Sequence, residues 1–276
     1  MPELPEVETV KRTLQNKLAG LSFRGVQVFM PKVVRTHNPA GFSEAIAGKK
    51  ILKIGRRGKY LLLRLNGDWS LVVHLRMTGR LYYCDPGAPL QRYTHVVFEL
   101  DNGCQLRYSD LRQFGRIWLM SPGTLDKLPG YKDLGVEPLD EAFTRDYLKK
   151  ELRRRRSRIK PLLLDQTFIA GLGNIYADEA LHRAKINPER LATTLTPREV
   201  ANLHRSIREV LTEGIEHRGT TMRDYIDGDG RPGQYQEMLR VYGREGKPCP
   251  ACGRAVEKRK IAGRSSYFCP ACQKNT

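Results

Sequence analysis

Six cysteines occur in the 276 residues, and four form two pairs, Cys249-Pro-Ala-Cys252 and Cys269-Pro-Ala-Cys272, with 16 residues between them. Each pair offers two thiolates from one tight turn, and four soft ligands close a tetrahedron around Zn2+. That leaves no coordination position for water, so the spacing predicts one structural zinc ion held by Cys249, Cys252, Cys269 and Cys272. Two disulfides are the other reading. A basic chain without a signal peptide points to a reducing compartment and disfavours them. So short a tail also needs a staple to fold. Between the pairs stand Lys258, Arg259, Lys260 and Arg264, so the pinned segment displays four cations suited to phosphates. Cys84 and Cys104 stand apart and are expected to be buried packing residues. Nothing in the sequence calls for a catalytic metal or an organic cofactor.

The N-terminus is a second chemical candidate. Pro2 follows the initiator Met, and a small second residue permits removal of that Met. Proline would then carry a free secondary amine, with an α-amino pKa of about 7.7–8.0 against about 10.4 for lysine. More of it is neutral and nucleophilic at pH 7, and a nearby helix N-terminus favours the neutral form further. Attack on a sugar C1′ would give a charged iminium, an electron sink for β-elimination. Glu3 and Glu6 could supply a proton and electrostatic support. Alone, these residues are also ordinary ingredients of a helix start.

The chain holds 48 Lys+Arg against 30 Asp+Glu, a formal charge of +18, with a sequence pI near 9.8. Residues 1–140 carry 21 cations and 13 anions, for +8, and residues 141–276 carry 27 and 17, for +10. Both halves are basic, so the expected partner is a polyanion lying along both. Hydrophobic residues at 40% suffice for a folded core. No run reaches the roughly 18–20 apolar residues of a membrane span, and the acidic start MPELPEVETV does not resemble a signal peptide. A cytoplasmic, nucleoid-associated bacterial protein is expected. The basic run Arg153-Arg154-Arg155-Arg156-Ser157-Arg158 is either a solvated helix end or a phosphate contact.

Elements must position these groups. Val7, Val10, Leu14 and Leu18 recur at helical spacing, and Gly20 stops the helix. Short strand-like runs follow at 51–54, 60–65, 69–75, 94–100, 105–108 and 114–120, separated by turns such as Asn66-Gly67-Asp68. Many short strands without intervening helices predict an antiparallel sandwich or barrel. After a Pro- and Gly-rich stretch the pattern turns helical. Thr144 caps one helix, a second starts near Pro161, and a third follows Gly171-Leu172-Gly173-Asn174. The capping box Thr196-Pro197-Arg198-Glu199 opens a fourth. Residues 219–234 are polar, glycine-rich loop.

Taken together, these motifs resemble the bacterial formamidopyrimidine-DNA glycosylase family over essentially the full chain. The opening Met1-Pro2-Glu3-Leu4-Pro5-Glu6 is similar to the family start, as are Arg57-Gly58-Lys59-Tyr60, His74-Leu75-Arg76-Met77-Thr78-Gly79 and Asp110-Leu111-Arg112-Gln113-Phe114-Gly115. So are Leu164-Asp165-Gln166 with Gly171-Leu172-Gly173-Asn174-Ile175-Tyr176, Val241-Tyr242-Gly243-Arg244, the cysteines and Ala262-Gly263-Arg264. The resemblance implies an α+β protein. Residues 1–132 would form an antiparallel β-sandwich with a leading helix, and 133–142 a linker. Residues 143–235 would form a helix-two-turn-helix domain, and 236–276 a β-hairpin zinc finger. It implies a monomeric base-excision repair enzyme, both glycosylase and abasic-site lyase, acting on double-stranded DNA with oxidised purines or abasic sites.

The resemblance also assigns roles. Pro2 would form the Schiff base, Glu3 protonate the ring oxygen, and Glu6 support the site. Lys59 would donate a proton in β-elimination, and Arg264 serve δ-elimination. Met77, Arg112 and Phe114 would fill the gap left by a flipped base, because C1′ is out of reach inside a duplex and a wedge limits the unstacking cost. His74, Tyr93, Arg155, Lys160, Asn174, Tyr242 and Lys258 would contact the DNA backbone. Thr220, Thr221, Met222, Arg223 and Tyr225 would close over the damaged base. Tyr93 stands where many relatives carry histidine, Gln113 where many carry a basic residue, and Thr78 at a variable position. The rivals are an endonuclease VIII-like glycosylase for oxidised pyrimidines and a non-catalytic DNA-binding protein. Leu4 and the complete Met77, Arg112, Phe114 set favour the purine-directed branch.

Overall fold

The computed structural model describes residues 1–275. They form two compact units, Met1–Lys132 with His217–Gln234, and Asp133–Glu216 with the chain from Tyr235 onward.

In the first unit, helix α1 (Leu4–Leu18) buries its stripe of Val7, Val10, Leu14 and Leu18 and stops before Gly20, whose φ of 90° suits glycine. Eight strands follow: β1 (Phe23–Val28), β2 (Ile51–Arg57), β3 (Tyr60–Leu65), β4 (Ser70–His74), β5 (Gly79–Cys84), β6 (Thr94–Leu100), β7 (Gln105–Asp110) and β8 (Arg116–Met120). They make two antiparallel four-stranded sheets, in the orders β1-β6-β7-β5 and β2-β3-β4-β8. Side chains alternate across each strand. Leu61, Leu63 and Leu65 of β3 share one core with Val73, Phe98, Leu106, Tyr108 and the α1 stripe, whereas Arg64 is exposed. A sandwich with a leading helix results.

Strands β1 and β5 and the short helix α2 (Pro39–Ile46) have weak sequence patterns. β1 is mostly half-exposed and interrupted by Gly25 and Gln27, and α2 is two turns long, capped by Asn38 accepting from the Gly41 N–H at 2.8 Å. Cys84 and Cys104 are half-buried, not core residues: they lie at the open end of the β5–β7 ladder, where Cys104 reaches Asp85 at 3.7 Å.

The second unit holds α3 (Arg145–Arg154), α4 (Ile159–Leu164), α5 (Asn174–Ala184), α6 (Pro197–Glu216) and the hairpin β9 (Glu257–Ile261) with β10 (Arg264–Phe268). Thr144 caps α3 by accepting from the Tyr147 N–H at 3.0 Å. Helix α6 buries Val200, Leu203, Ile207, Val210 and Leu211 as its apolar face. The hairpin turns through Ala262 and Gly263, both at positive φ, which the twist of two antiparallel strands favours. The class is α+β. Among the described residues no helix is long and apolar enough to cross a membrane.

Gly214 gives one test of this packing. A Cβ there would lie 2.5 Å from Cε1 of Tyr176, a buried ring that packs on Tyr235 with centroids 5.4 Å apart. Alanine improves helix propensity by about 1 kcal/mol, but overpacking costs about 1–3 kcal/mol. Gly214→Ala should therefore lower stability by up to about 2 kcal/mol, read from urea denaturation midpoints.

Candidate active site and metal centre

Pro2, Glu3 and Glu6 are all buried at the foot of α1. The Glu6 carboxylate accepts the Glu3 N–H at 2.7 Å with one oxygen and the Thr220 N–H at 2.7 Å with the other. Tyr225, also buried, donates its hydroxyl to the Glu6 carbonyl at 3.2 Å. Glu6 and Thr220, 214 positions apart, are thus brought together. Gly219 makes the approach possible: its φ is 79°, and a Cβ would lie 2.9 Å from Glu6 Cγ. Thr221 steadies the loop, donating to the Tyr225 carbonyl and accepting from the Gly233 N–H. Met222 and Arg223 project outward from it.

Lys59 follows the left-handed Gly58 in the β2–β3 turn. Arg56 fixes that turn on α1, donating to Glu8 at 3.0 Å and to the Gly58 carbonyl at 3.0 Å. Burial raises the Glu8 carboxyl, but Lys11, Arg12 and Arg56 together hold it below its ordinary range. His74, at the end of β4, is buried, and its Nδ1 accepts the Arg76 N–H at 3.0 Å. Burial, with the nearby charges of Arg76 and Lys59, pushes its pKa down to about 3. The ring is therefore neutral at pH 7 and presents Nε2–H as its donor.

The loop after β7 is organised by Asp110, a buried carboxylate that the sequence reading did not single out. It accepts from the Thr78 hydroxyl at 2.5 Å, the Tyr108 hydroxyl at 3.1 Å, and the N–H groups of Arg112 and Gly115 at 3.2 and 2.7 Å. Gly115 has no room for a side chain, since a Cβ would meet the Tyr108 hydroxyl at 1.7 Å. Phe114 of this loop is 48% exposed and Met77, between β4 and β5, is 39% exposed, both outside the core, with the Arg112 guanidinium 4.9 Å from the Phe114 ring centre. Tyr93 and Thr78 line a cavity of about 200 Å³ with Arg80, Leu111 and Asp224.

In the second unit, Gln166 staples the turn between α4 and α5, donating to the Leu164 and Leu172 carbonyls and accepting from Gly171. Asn174 begins α5. Arg155 pairs with Asp165 at 2.9 Å and lies over Phe168. Lys160 differs from the surface contact expected of it. It is 1% exposed, pairs with Asp178 at 2.7 Å, and donates to the Ser265 carbonyl at 2.9 Å. Asn174 donates to that same carbonyl at 2.9 Å, and Asp178 accepts the Tyr267 N–H. Strand β10 is thereby fixed just beyond the exposed Arg264, which borders a cavity of about 190 Å³ with Pro161 and Asp165. Glu179 accepts three successive N–H groups, of Arg240, Val241 and Tyr242, at 2.9–3.0 Å. Tyr242 packs edge-on against Tyr267, and the exposed Lys258 pairs with Glu245 at 3.1 Å. Asp178 and Glu179 were also missed: in sequence they look like any charged pair on a helix.

The four cysteines of the tail converge. Their sulfurs all lie within 4.8 Å of one another, and those of Cys252 and Cys269 are 3.5 Å apart. A tetrahedral zinc with bonds of about 2.3 Å needs sulfur–sulfur edges of about 3.8 Å, so the cluster fits that ion. Its turns are tight: Gly253 N–H bonds the Cys249 carbonyl at 2.8 Å, and Gln273 N–H bonds that of Cys269 at 2.9 Å. Backbone and neighbouring hydrogen bonds lower the Cys252 thiol to about 7, while burial and the adjacent sulfurs push Cys272 up to about 12. Four thiolates so crowded need a countercharge, and a divalent ion provides it.

Comparison with known proteins agrees along the whole length. Family models match the formamidopyrimidine-DNA glycosylase N-terminal domain over residues 1–117, the H2TH domain of that enzyme over 134–225, and the zinc finger found in FPG and IleRS over 246–275. A formamidopyrimidine-DNA glycosylase of Pelotomaculum thermopropionicum is 69% identical over 261 residues, covering 95% of each chain. A mutant Lactococcus lactis FPG, bound to DNA containing Fapy-dG, superposes with a TM-score of 0.93 at 38% identity, covering 99% of this chain and 100% of that one. MutM bound to DNA containing carbocyclic 8-oxo-G gives 0.91 at 39% identity, with 99% and 100% covered. The chain belongs to the formamidopyrimidine-DNA glycosylase family.

Proposed function

We propose that this base-excision repair DNA glycosylase acts on duplex DNA containing 8-oxoguanine and formamidopyrimidines, and that it carries out glycosylase and lyase steps through a Schiff base on Pro2. The observation that carries the reading is the Glu6 carboxylate joining the Glu3 and Thr220 N–H groups, so that the proline-bearing helix start and the 219–225 loop share one anchor.

Removal of Met1 frees the Pro2 nitrogen. Its lone pair attacks C1′, the glycosidic bond breaks, and that bond's electron pair leaves with the damaged base, which takes up a proton. Glu3 protonates the ring oxygen as the sugar opens, which leaves an iminium between Pro2 and C1′. Water accepts the C2′ proton, the freed electron pair expels the 3′ phosphate, and Lys59 as proton donor protonates the leaving oxygen. A second elimination, served by Arg264, expels the 5′ phosphate. The product is a one-nucleotide gap with phosphates at both ends. Met77, Arg112 and Phe114 fill the vacated stack. Neutral His74 gives a phosphate one hydrogen bond but no charge, while Asn174, Tyr242, Lys258 and, less directly, Arg155 line the backbone path. A structural zinc on Cys249, Cys252, Cys269 and Cys272 fixes the hairpin of Arg264. The protein works as a monomer in the bacterial cytoplasm, at the nucleoid.

Borohydride trapping on a duplex with 8-oxoguanine opposite cytosine tests the chemistry. Wild type should form an adduct through its N-terminal residue, Pro2→Gly should lose it, and Glu3→Gln should slow base release by about 10²–10⁴-fold. Tight binding without an adduct would sink the catalytic reading, and faster excision of thymine glycol would point to the pyrimidine-directed branch.

His74 yields a pH test. Its folded pKa of about 3 lies below the ordinary 6.5, so the unfolded chain binds the extra proton. The stability linked to the neutral ring is present above pH 6.5 and is lost as pH falls toward 3. His74→Gln should flatten that part of the acid limb in urea titrations at pH 7.5, 6 and 4.5 (roughly bracketing the window).

A further inference from the structure

One line of polar side chains in the second unit is only partly used by this mechanism. Asn174, Asp178 and His182 are spaced four residues apart, which places them on one face of α5. Asn174 meets the Ser265 carbonyl and Asp178 the Tyr267 N–H, both on β10. The third, His182, meets a cysteine of the metal cluster: its Nε2 lies 3.3 Å from Cys249 Sγ. Both residues are buried, at 4% and 2% exposure.

A thiolate ligand can only accept a hydrogen bond, so the ring nitrogen facing it must carry the proton. That leaves Nδ1 as an acceptor, and it has no hydrogen-bond partner among the described residues. A buried ring with one nitrogen unsatisfied is unfavourable unless its other contact repays the burial.

We propose that His182 is a positioning residue of the metal centre, its Nε2–H donating to the Cys249 thiolate. Four thiolates and one zinc ion carry a net charge of −2, and a donor to one sulfur draws off part of that charge and fixes the ligand's direction. Helix α5 then holds the metal at one end of its stripe and the strand of Arg264 at the other. The inference rests on the zinc assignment above.

The test separates the two. Elemental analysis of the purified wild type comes first, and folded protein without zinc would remove the zinc assignment whatever His182 does. With zinc-loaded protein, release to a chromogenic chelator is then compared for wild type, His182→Leu and His182→Gln. The leucine variant should release zinc about 10–100-fold faster, the range for a lost partner of a metal ligand. Glutamine, which keeps an N–H at similar reach, should stay near wild type. Equal rates for leucine and wild type overturn the proposal. Should the leucine variant not fold, NMR of cadmium-loaded wild type decides. A coupling between cadmium and the His182 ring N–H proton is expected across the hydrogen bond, and a resolved ring proton without it overturns the assignment.

Discussion

A carboxylate taken out of water must find donors or give up its charge. Four of the carboxylates buried in this chain project from or beside a regular element, and each is met by backbone N–H groups of another segment. Glu6 of α1 takes the Thr220 N–H. Asp110, ending β7, takes those of Arg112 and Gly115. Asp178 and Glu179, adjacent on α5, take those of Tyr267 and of Arg240 to Tyr242. Burial raises both carboxyl groups; Lys160 and then the Tyr267 N–H pull Asp178 back down, and the three N–H groups do the same for Glu179. A loop that moved away would strand its acid, so each loop is held where a helix or strand dictates.

This explains how exposed groups can be well placed. Met77, Phe114 and Arg264 project into solvent and gain little packing of their own. Their positions are inherited from anchors beneath them. Hydrogen bonds to charged groups contribute about 1.5–3 kcal/mol each, comparable to the loss of backbone freedom of about 1–2 kcal/mol for the one residue that donates. Glycine completes the arrangement where an anchor comes close: Gly115 against the Tyr108 hydroxyl and Gly219 against Glu6.

The candidate positions for chemistry could be named from the sequence, because cysteine spacing, the proline-led helix start and the glycine-bounded motifs are local. The sandwich was legible from period-two strands, though β1, β5 and α2 were too short or too mixed in polarity to stand out. The anchors were not legible. Asp178 and Glu179 look like solvated helix charges, and His182 like a surface residue near a helix end. Their burial depends on where residues 240–269 fold back, which no window of sequence contains. The burial of Lys160 was hidden for the same reason: the resemblance assigned it to the DNA backbone, and only the tertiary fold puts Asp178 beside it.

The ion pairs divide the cations by what they can do when a phosphate arrives. Exposed pairs such as Lys258–Glu245 contribute about 0–1 kcal/mol, so the lysine can exchange its glutamate for a phosphate oxygen at little cost. Arg155, a third exposed against Asp165, sits at the edge of that class. Lys160 and Asp178 are both 1% exposed, and breaking a buried pair by withdrawing one partner costs about 3–5 kcal/mol. Lys160 therefore stays with Asp178 in the interior, where it also holds the Ser265 carbonyl, whereas the neighbouring Arg264 side chain is exposed.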